Sequence, residues 1–247
     1  MHDTPKTHAD LTVKVFADGA DIVGLTALAA LPHISGFTTN PTLMRKAGVD
    51  DYRRFAHEAL DVIGDRPISF EVFSDDLPEM LIQGREIASW GPNVYVKVPV
   101  STTDGTSTVD LVRELSHDGV QVNVTALMTL QQVEAVMAAL QGGADSNISV
   151  FAGRIADTGR DPVPLMREAL SIMQAAPSAS LIWASPREVL NIVQADEIGC
   201  HIITVTYDLL GKLDGLAKPL DQFSLETVQM FHRDATAAGF TIDIPTA

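Results

Sequence analysis

The run Asn93–Val100, "NVYVKVPV", alternates Val94, Val96, Val98 and Val100 with other residues and contains a single lysine, Lys97. The period of two reads as a strand, and Pro99 limits its ladder because proline has no N–H to donate. An ammonium near the end of so apolar a strand is costly unless it is paired, solvated or neutral. A desolvated lysine with a lowered pKa is a nucleophile. It attacks a carbonyl, forms a Schiff base, and the iminium then draws electrons from a neighbouring C–C bond. The competing reading is a salt-bridged lysine on a rim. Lys14, also in a strand-like run, stands several residues before that run ends and is assigned to the opposite face.

The elements that must position Lys97 recur along the whole chain. Strand-like runs fall at Thr12–Ala17, Ile34–Thr38, Ile68–Phe73, Val94–Val98, Val120–Val124, Ile148–Phe151, Leu181–Ala184 and Ile202–Val205. Between them lie segments such as "DDYRRFAHEALDVIG" and "TLQQVEAVMAALQGG", with apolar residues at three- and four-residue spacing. Eight strand–helix units in 247 residues fit one (β/α)8 TIM barrel spanning 1–247, with "LETVQMFHRDATAAGF" as a closing C-terminal helix. A doubly wound open sheet is the rival architecture.

In a barrel of this kind chemistry sits where strands lead into helices. The strand ends supply Asp18; Thr38, Thr39 and Asn40; Glu71; Lys97; Asn123 and Thr125; Ser149; and Ser185. Taken singly, Asp18 reads equally as a helix N-cap, Glu71 as an arginine partner, and Cys200 as core. Taken together they offer one amine, two carboxylates, hydroxyls and amides. No metal-ligand spacing, dinucleotide or P-loop fingerprint, or G-x-S-x-G elbow is present, so no metal and no cofactor are expected.

Composition narrows the partners. Lysine plus arginine number 17 against 32 acidic residues, a formal charge of −15, which argues against nucleic acid. An anionic substrate must then be gripped by a few well-placed cations. No apolar stretch is long enough to span a bilayer, the polar start lacks a signal-peptide core, and the single cysteine suits a reducing compartment. The expectation is a cytoplasmic protein with no membrane partner and a possible homo-oligomeric state.

The stretch "GFTTNPTLM", Gly36–Met44, resembles the G-[IV]-T-T-N-P-[ST]-L motif of transaldolases. The resemblance continues in family order through "VFADGAD", "FEVFS", "VYVKVPV", "VNVTALMTLQQ", "SVFAGRIADTG" and "ASPREVLNIVQADEIGC". It implies a Schiff base on Lys97, with Asp18 as acid/base, and Glu71 with Thr125 holding a water that shuttles protons. It further implies that Asn40 and Asn123 bind a dihydroxyacetone unit beside Thr38. Arg154 with Ser149 nearby, and Arg187 beside Ser185, match the phosphate end of a sugar phosphate. Related fructose-6-phosphate aldolases, which release free dihydroxyacetone, carry glutamine where Glu71 stands and tyrosine where Phe151 stands. Both positions here follow the transaldolases. Two departures leave the substrate open: Pro186 replaces an aromatic residue in "ASPRE", and Gly19 replaces a small hydroxyl residue in "FADGAD". The alternatives are an aldolase-type lyase, transfer from a modified (for example sulfonated) ketose, and a non-catalytic binding barrel.

Overall fold

The computed structural model describes residues 6–174 and 178–242. Eight strands close into a barrel: β1 Lys14–Asp18, β2 Ile34–Thr38, β3 Ile68–Glu71, β4 Val94–Pro99, β5 Val122–Leu127, β6 Ser146–Val150, β7 Ala179–Trp183 and β8 Ile202–Thr206. Each pairs in parallel with its sequence neighbours, and β8 pairs with β1. The helices are α1 Ile22–Ala29, α2 Pro41–Lys46, α3 Tyr52–Ile63, α4 Leu77–Ala88, α5 Val109–His117, α6 Leu130–Leu140, α7 Ala152–Asp157, α8 Pro162–Met173, α9 Leu190–Glu197, α10 Tyr207–Leu210 and α11 Leu220–Ala237. The expected (β/α)8 architecture is therefore present, and the open-sheet rival is not.

Strand β4 shows how alternation sorts residues into two cores. Val94, Val96 and Val98 are buried toward the helical ring, where α4 packs. Tyr95, Lys97 and Pro99 take the other phase. Tyr95 lines a small cavity at the N-terminal end of the bore, and Lys97 and Pro99 line a larger one at the C-terminal end. The main core holds Leu25 of α1 together with the strand residues Phe37, Phe70, Ile148 and Trp183. Within the bore a separate apolar plug of Phe16, Ile182, Ala184 and Ile202 forms, with Phe151 packed against it. The bore is thus filled, and the polar strand ends rest on a hydrophobic floor.

Boundaries differ from expectation where backbone chemistry overrides pattern. β5 starts at Val122 because the Val120 N–H is spent on the Leu115 carbonyl, just after Gly119 turns the chain with φ +86°. It then runs on to Leu127 past an irregularity at Ala126, whose φ is +66°. Lys14 opens β1 and faces the N-terminal cavities, as its early position implied. The terminal helix starts at Leu220, five residues before the expected run, and none of its residues is buried.

The ring is tied shut at β1. Asp196 of α9 is buried; its Oδ1 accepts from the Thr12 N–H (2.6 Å), the Thr12 hydroxyl (2.8 Å) and the Val13 N–H (2.9 Å), and Lys6 pairs with Oδ2. Burial alone would raise this carboxyl, but these donors outweigh it and lower it to about 2. A folded pKa below the unfolded value of about 3.9 means that the stabilisation is complete above pH ~4 and lost as pH falls toward 2. Asp196→Ala should cost about 2–3 kcal/mol by orphaning these donors, lowering Tm by about 5–10 °C at pH 7. Calorimetry from pH 7 to 2 should also show a flatter acid limb for Asp196→Asn than for the parent chain.

Candidate active site

Lys97 is 7% exposed at the end of β4. Its Nζ lies 3.0 Å from Glu71 Oε2 and donates to the Thr39 carbonyl at 3.0 Å. Glu71 is the residue opposite Lys97 in the β3–β4 register, and Asn123 is opposite it in β4–β5. The carboxylate that sequence alone could have given to an arginine thus serves the lysine instead.

The residues of "TTNP" each have a defined place around this amine. The Thr38 hydroxyl donates to Asp18 Oδ1 at 2.8 Å and also meets Thr204 Oγ1. The Thr39 hydroxyl donates to the Ser69 carbonyl at 2.9 Å, which fixes the peptide whose own carbonyl holds Lys97. Asn40 caps α2, its Oδ1 accepting from Leu43 N–H at 2.9 Å, while its Nδ2 donates to Asp18 Oδ2 at 3.2 Å. Pro41 occupies the first turn of α2, where a missing N–H costs nothing. Asp18 is no helix cap; that role falls to Asp21 on α1. Burial pushes the Asp18 carboxyl above the ordinary carboxylate range, opposed by the Lys97 charge and by the Thr38 and Asn40 donors, and assisted by Glu71.

On the other flank Asn123 is clamped on both sides. Its Nδ2 donates to Ser69 Oγ at 2.9 Å and its Oδ1 accepts from Ser149 Oγ at 2.7 Å. Ser149 therefore sits in the bore beside Asn123. Thr125 is buried and its hydroxyl has no hydrogen-bond partner among the described residues, leaving it free for water or ligand. Asp18, Thr38, Asn40, Glu71, Lys97, Asn123, Thr125 and Ser149 face a cavity of about 440 Å³ that also takes in Phe151, Arg154, Ser185, Pro186 and Arg187. Apart from Thr39, every residue that the sequence offered for the site lines this one cavity. Arg154 and Arg187 are exposed and line the same cavity as the buried amine.

Three neighbours of the site escaped sequence reasoning. Thr204, on β8, completes the hydroxyl pair with Thr38. Asp157, at the end of α7, grips Arg187. Tyr207 opens α10 and explains Gly19: a Cβ on Gly19 would overlap the phenol, and one on Gly24 would overlap its ring. The Tyr207 hydroxyl is buried without a partner among the described residues, and burial, with Asp21 and Asp18 nearby, raises its pKa. Only the glycine itself, standing where a hydroxyl residue was expected, hinted at this packing.

Comparison with known proteins gives this geometry its relatives. The family model for transaldolase/fructose-6-phosphate aldolase matches residues 15–243. The chain belongs to the transaldolase/fructose-6-phosphate aldolase family. A "Probable transaldolase" of Dehalococcoides mccartyi is 36% identical over 199 residues, covering 80% of this chain and 88% of that protein. Another, from Roseiflexus castenholzii, is 36% identical over 215 residues, covering 87% and 94%. A third, from a Thermoanaerobacter species, is 33% identical over 231 residues, covering 93% of this chain and all of that one. Among solved structures, 2,3-dimethylmalate lyase, a member of the PEP mutase/isocitrate lyase superfamily, superposes with a TM-score of 0.55 at 14% identity, over 97% of this chain and 89% of that one. That likeness concerns the barrel alone. Family membership and these relatives support an enzyme of the transaldolase or aldolase type.

For this family member the electrostatics of Asp18 can be read directly. Carbon-13 NMR of aspartate-labelled protein should show the Asp18 carboxyl titrating above the usual value of about 3.9. Lys97→Met removes the positive charge that opposes burial, so the titration should move further up. A downward shift would mean that the two groups do not share a field.

Proposed function

We propose that this protein is a transaldolase: it moves a dihydroxyacetone unit from a ketose phosphate to an aldose acceptor through a Schiff base on Lys97. The observation that carries the reading is one buried amine with a carboxylate 3.0 Å away and a second carboxylate, Asp18, across the same cavity. Lys97 gives one ammonium proton to Glu71 and, as the neutral amine, attacks the C2 ketone; Glu71 returns that proton to the alkoxide, forming the carbinolamine, and then takes a second proton from the nitrogen. The carbinolamine hydroxyl leaves as water, with Glu71 donating and the Thr125 hydroxyl steering that water. Asp18 takes the proton of the C4 hydroxyl. The C3–C4 bond breaks, its electron pair enters the iminium, and an aldose leaves.

The resulting enamine is neutral. The positive charge that opposed protonation of Asp18 has gone, so burial now favours the acid form. Asp18 keeps the proton until an acceptor aldehyde arrives and its oxygen needs one. Asn40 and Asn123, held by Asp18, Ser69 and Ser149, would position the three-carbon unit. Arg154, Arg187 and Ser185 would take the phosphate. Phe151 in place of a phenol supports transfer over release of free dihydroxyacetone, because a phenyl ring cannot order water to protonate the enamine. The chain's formal charge of −15 agrees with small anionic substrates held by local cations rather than with nucleic acid. A buried free Cys200, its thiol pushed up to about 12 by burial, agrees with a reducing cytoplasm.

The expected homo-oligomer would be a self-association of copies through α11. Leu220, Phe223, Val228 and Phe231 are each more than half exposed there. An apolar helix face in water is a liability that a second copy would remove. Light scattering should find an assembly that Phe223→Asp with Phe231→Asp reduces to smaller species with unchanged circular dichroism.

Borohydride reduction in the presence of fructose 6-phosphate tests the chemistry. A three-carbon adduct is expected on Lys97 by peptide mass analysis, with release of an aldose phosphate. Lys97→Ala should lose turnover by a factor of about 10⁴ or more while keeping its fold. Adduct formation on another residue, or retained turnover in that variant, would remove the mechanism.

A further inference from the structure

Arg187 is the best-placed cation of the cavity's outer end, yet it is not free. Its Nε and Nη2 donate to the two Asp157 oxygens at 2.8 and 2.5 Å, a side-on fork, while Nη1 donates to Ser185 Oγ at 3.0 Å. Asp157 does not line the cavity; Arg154, Ser185 and Arg187 do. The carboxylate therefore grips the edge of the guanidinium that the ligand does not need. What remains is the Nη1/Nη2 end, next to the Ser185 hydroxyl.

The frame behind this pair is rigid. Asp157 ends α7, three residues after Arg154, so the two lie on one face of the helix. A Cβ on Gly153 would overlap the Ser185 carbonyl oxygen, so α7 and the loop after β7 are packed backbone against backbone. The Gly153 N–H also meets the Ala184 carbonyl at 3.4 Å. Ser185 holds φ +60° immediately before Pro186, a left-handed conformation sustained only by its surroundings. The Arg187 N–H is fixed by Asn191 Oδ1 at 2.8 Å. Both ends of the ion pair are anchored, and only the side chains could wander.

We propose that Asp157 is the positioning residue of the distal anion subsite, presenting the Nη1/Nη2 end of Arg187 to the terminal phosphate of the substrate. This rests on the proposed function, which puts the phosphate at that end. Two effects of Asp157 oppose each other: its charge weakens the pull on an anion, and its fork pre-orders a side chain with many rotamers. The pair is nearly half exposed on both sides, where water screens the charge, so orientation wins. The hydrogen bonds from Arg187, aided by its charge, hold the Asp157 carboxyl below the usual range, so the fork persists throughout neutral pH.

Calorimetric titration with inorganic phosphate reads the subsite without turnover. The parent protein should bind phosphate, and Asp157→Ala should weaken it about five- to ten-fold. Asp157→Asn, which keeps one acceptor oxygen for the fork, should lie between. Arg187→Ala marks the loss of the whole contact. In steady state, Asp157→Ala should raise KM for fructose 6-phosphate by a similar factor while kcat changes less than two-fold. Unchanged or tighter phosphate binding in Asp157→Ala, or no phosphate binding by the parent, would overturn the inference. So would an equal fall in kcat, which a merely structural role would produce. Failure of the Lys97 reading is distinct: it appears as absence of the borohydride adduct in the parent protein, whatever phosphate does.

Discussion

The site depends on holding a primary amine in a nearly dry barrel mouth without capturing it permanently. Water no longer solvates Lys97, so its donors must be met by protein groups that can also let go. The parallel register solves this by setting Glu71, Lys97 and Asn123 abreast on three consecutive strands. One carboxylate and one peptide carbonyl meet the amine, and the neighbouring amide is turned away to Ser69 and Ser149. Because the strands are short and rigid, these distances follow from pairing rather than from loop conformation. The apolar plug of Phe16, Ile182 and Ile202 below them keeps water from approaching through the bore.

Asp18 follows from the same constraint. Its burial outweighs the other influences on it, and its two oxygens are taken up by Thr38 and Asn40. The charge on Lys97 is the main influence opposing that burial. Any chemistry that alternately creates and removes a positive charge on the lysine nitrogen will therefore drive Asp18 between base and acid. The coupling needs no moving part. It needs only that both groups share a cavity from which most solvent is excluded.

The barrel and its mouth were legible in the sequence for a physical reason. Strands buried on both faces read as runs of apolar residues, so a polar residue at a strand's end stands out against them. Lys97, Glu71, Asn123 and Thr125 were visible in this way. Asp157 was not, because it sits in a short helix among ordinary surface charges and acts only through Arg187. Tyr207 was not, because an aromatic residue after a strand reads as core; its link to Gly19 crosses from the last strand's helix to the first strand's end. The true start of β5 was hidden as well, since Val120 looks like strand while its N–H closes the preceding helix. The terminal helix was read correctly as a helix, but its lack of buried residues is a matter of tertiary placement that periodicity does not encode.

The two ends of the cavity are built by different means, and this bears on how such a site can change its substrate. The amine end rests on strand register, where shifting one residue would move every neighbour. The distal end rests on α7 and the loop after β7, two segments joined by the Gly153–Ser185 contact and by the Asp157–Arg187 fork. Pro186 lies within that loop, on a different element from the strands that carry Lys97 and Glu71. Substitutions there can change the lining around Arg154 and Arg187 while Lys97, Glu71 and Asp18 keep their distances. The departures from the family pattern fit this division. Pro186 falls in the distal loop, and Gly19, although next to Asp18, is accounted for by the ring of Tyr207 rather than by any contact with the amine.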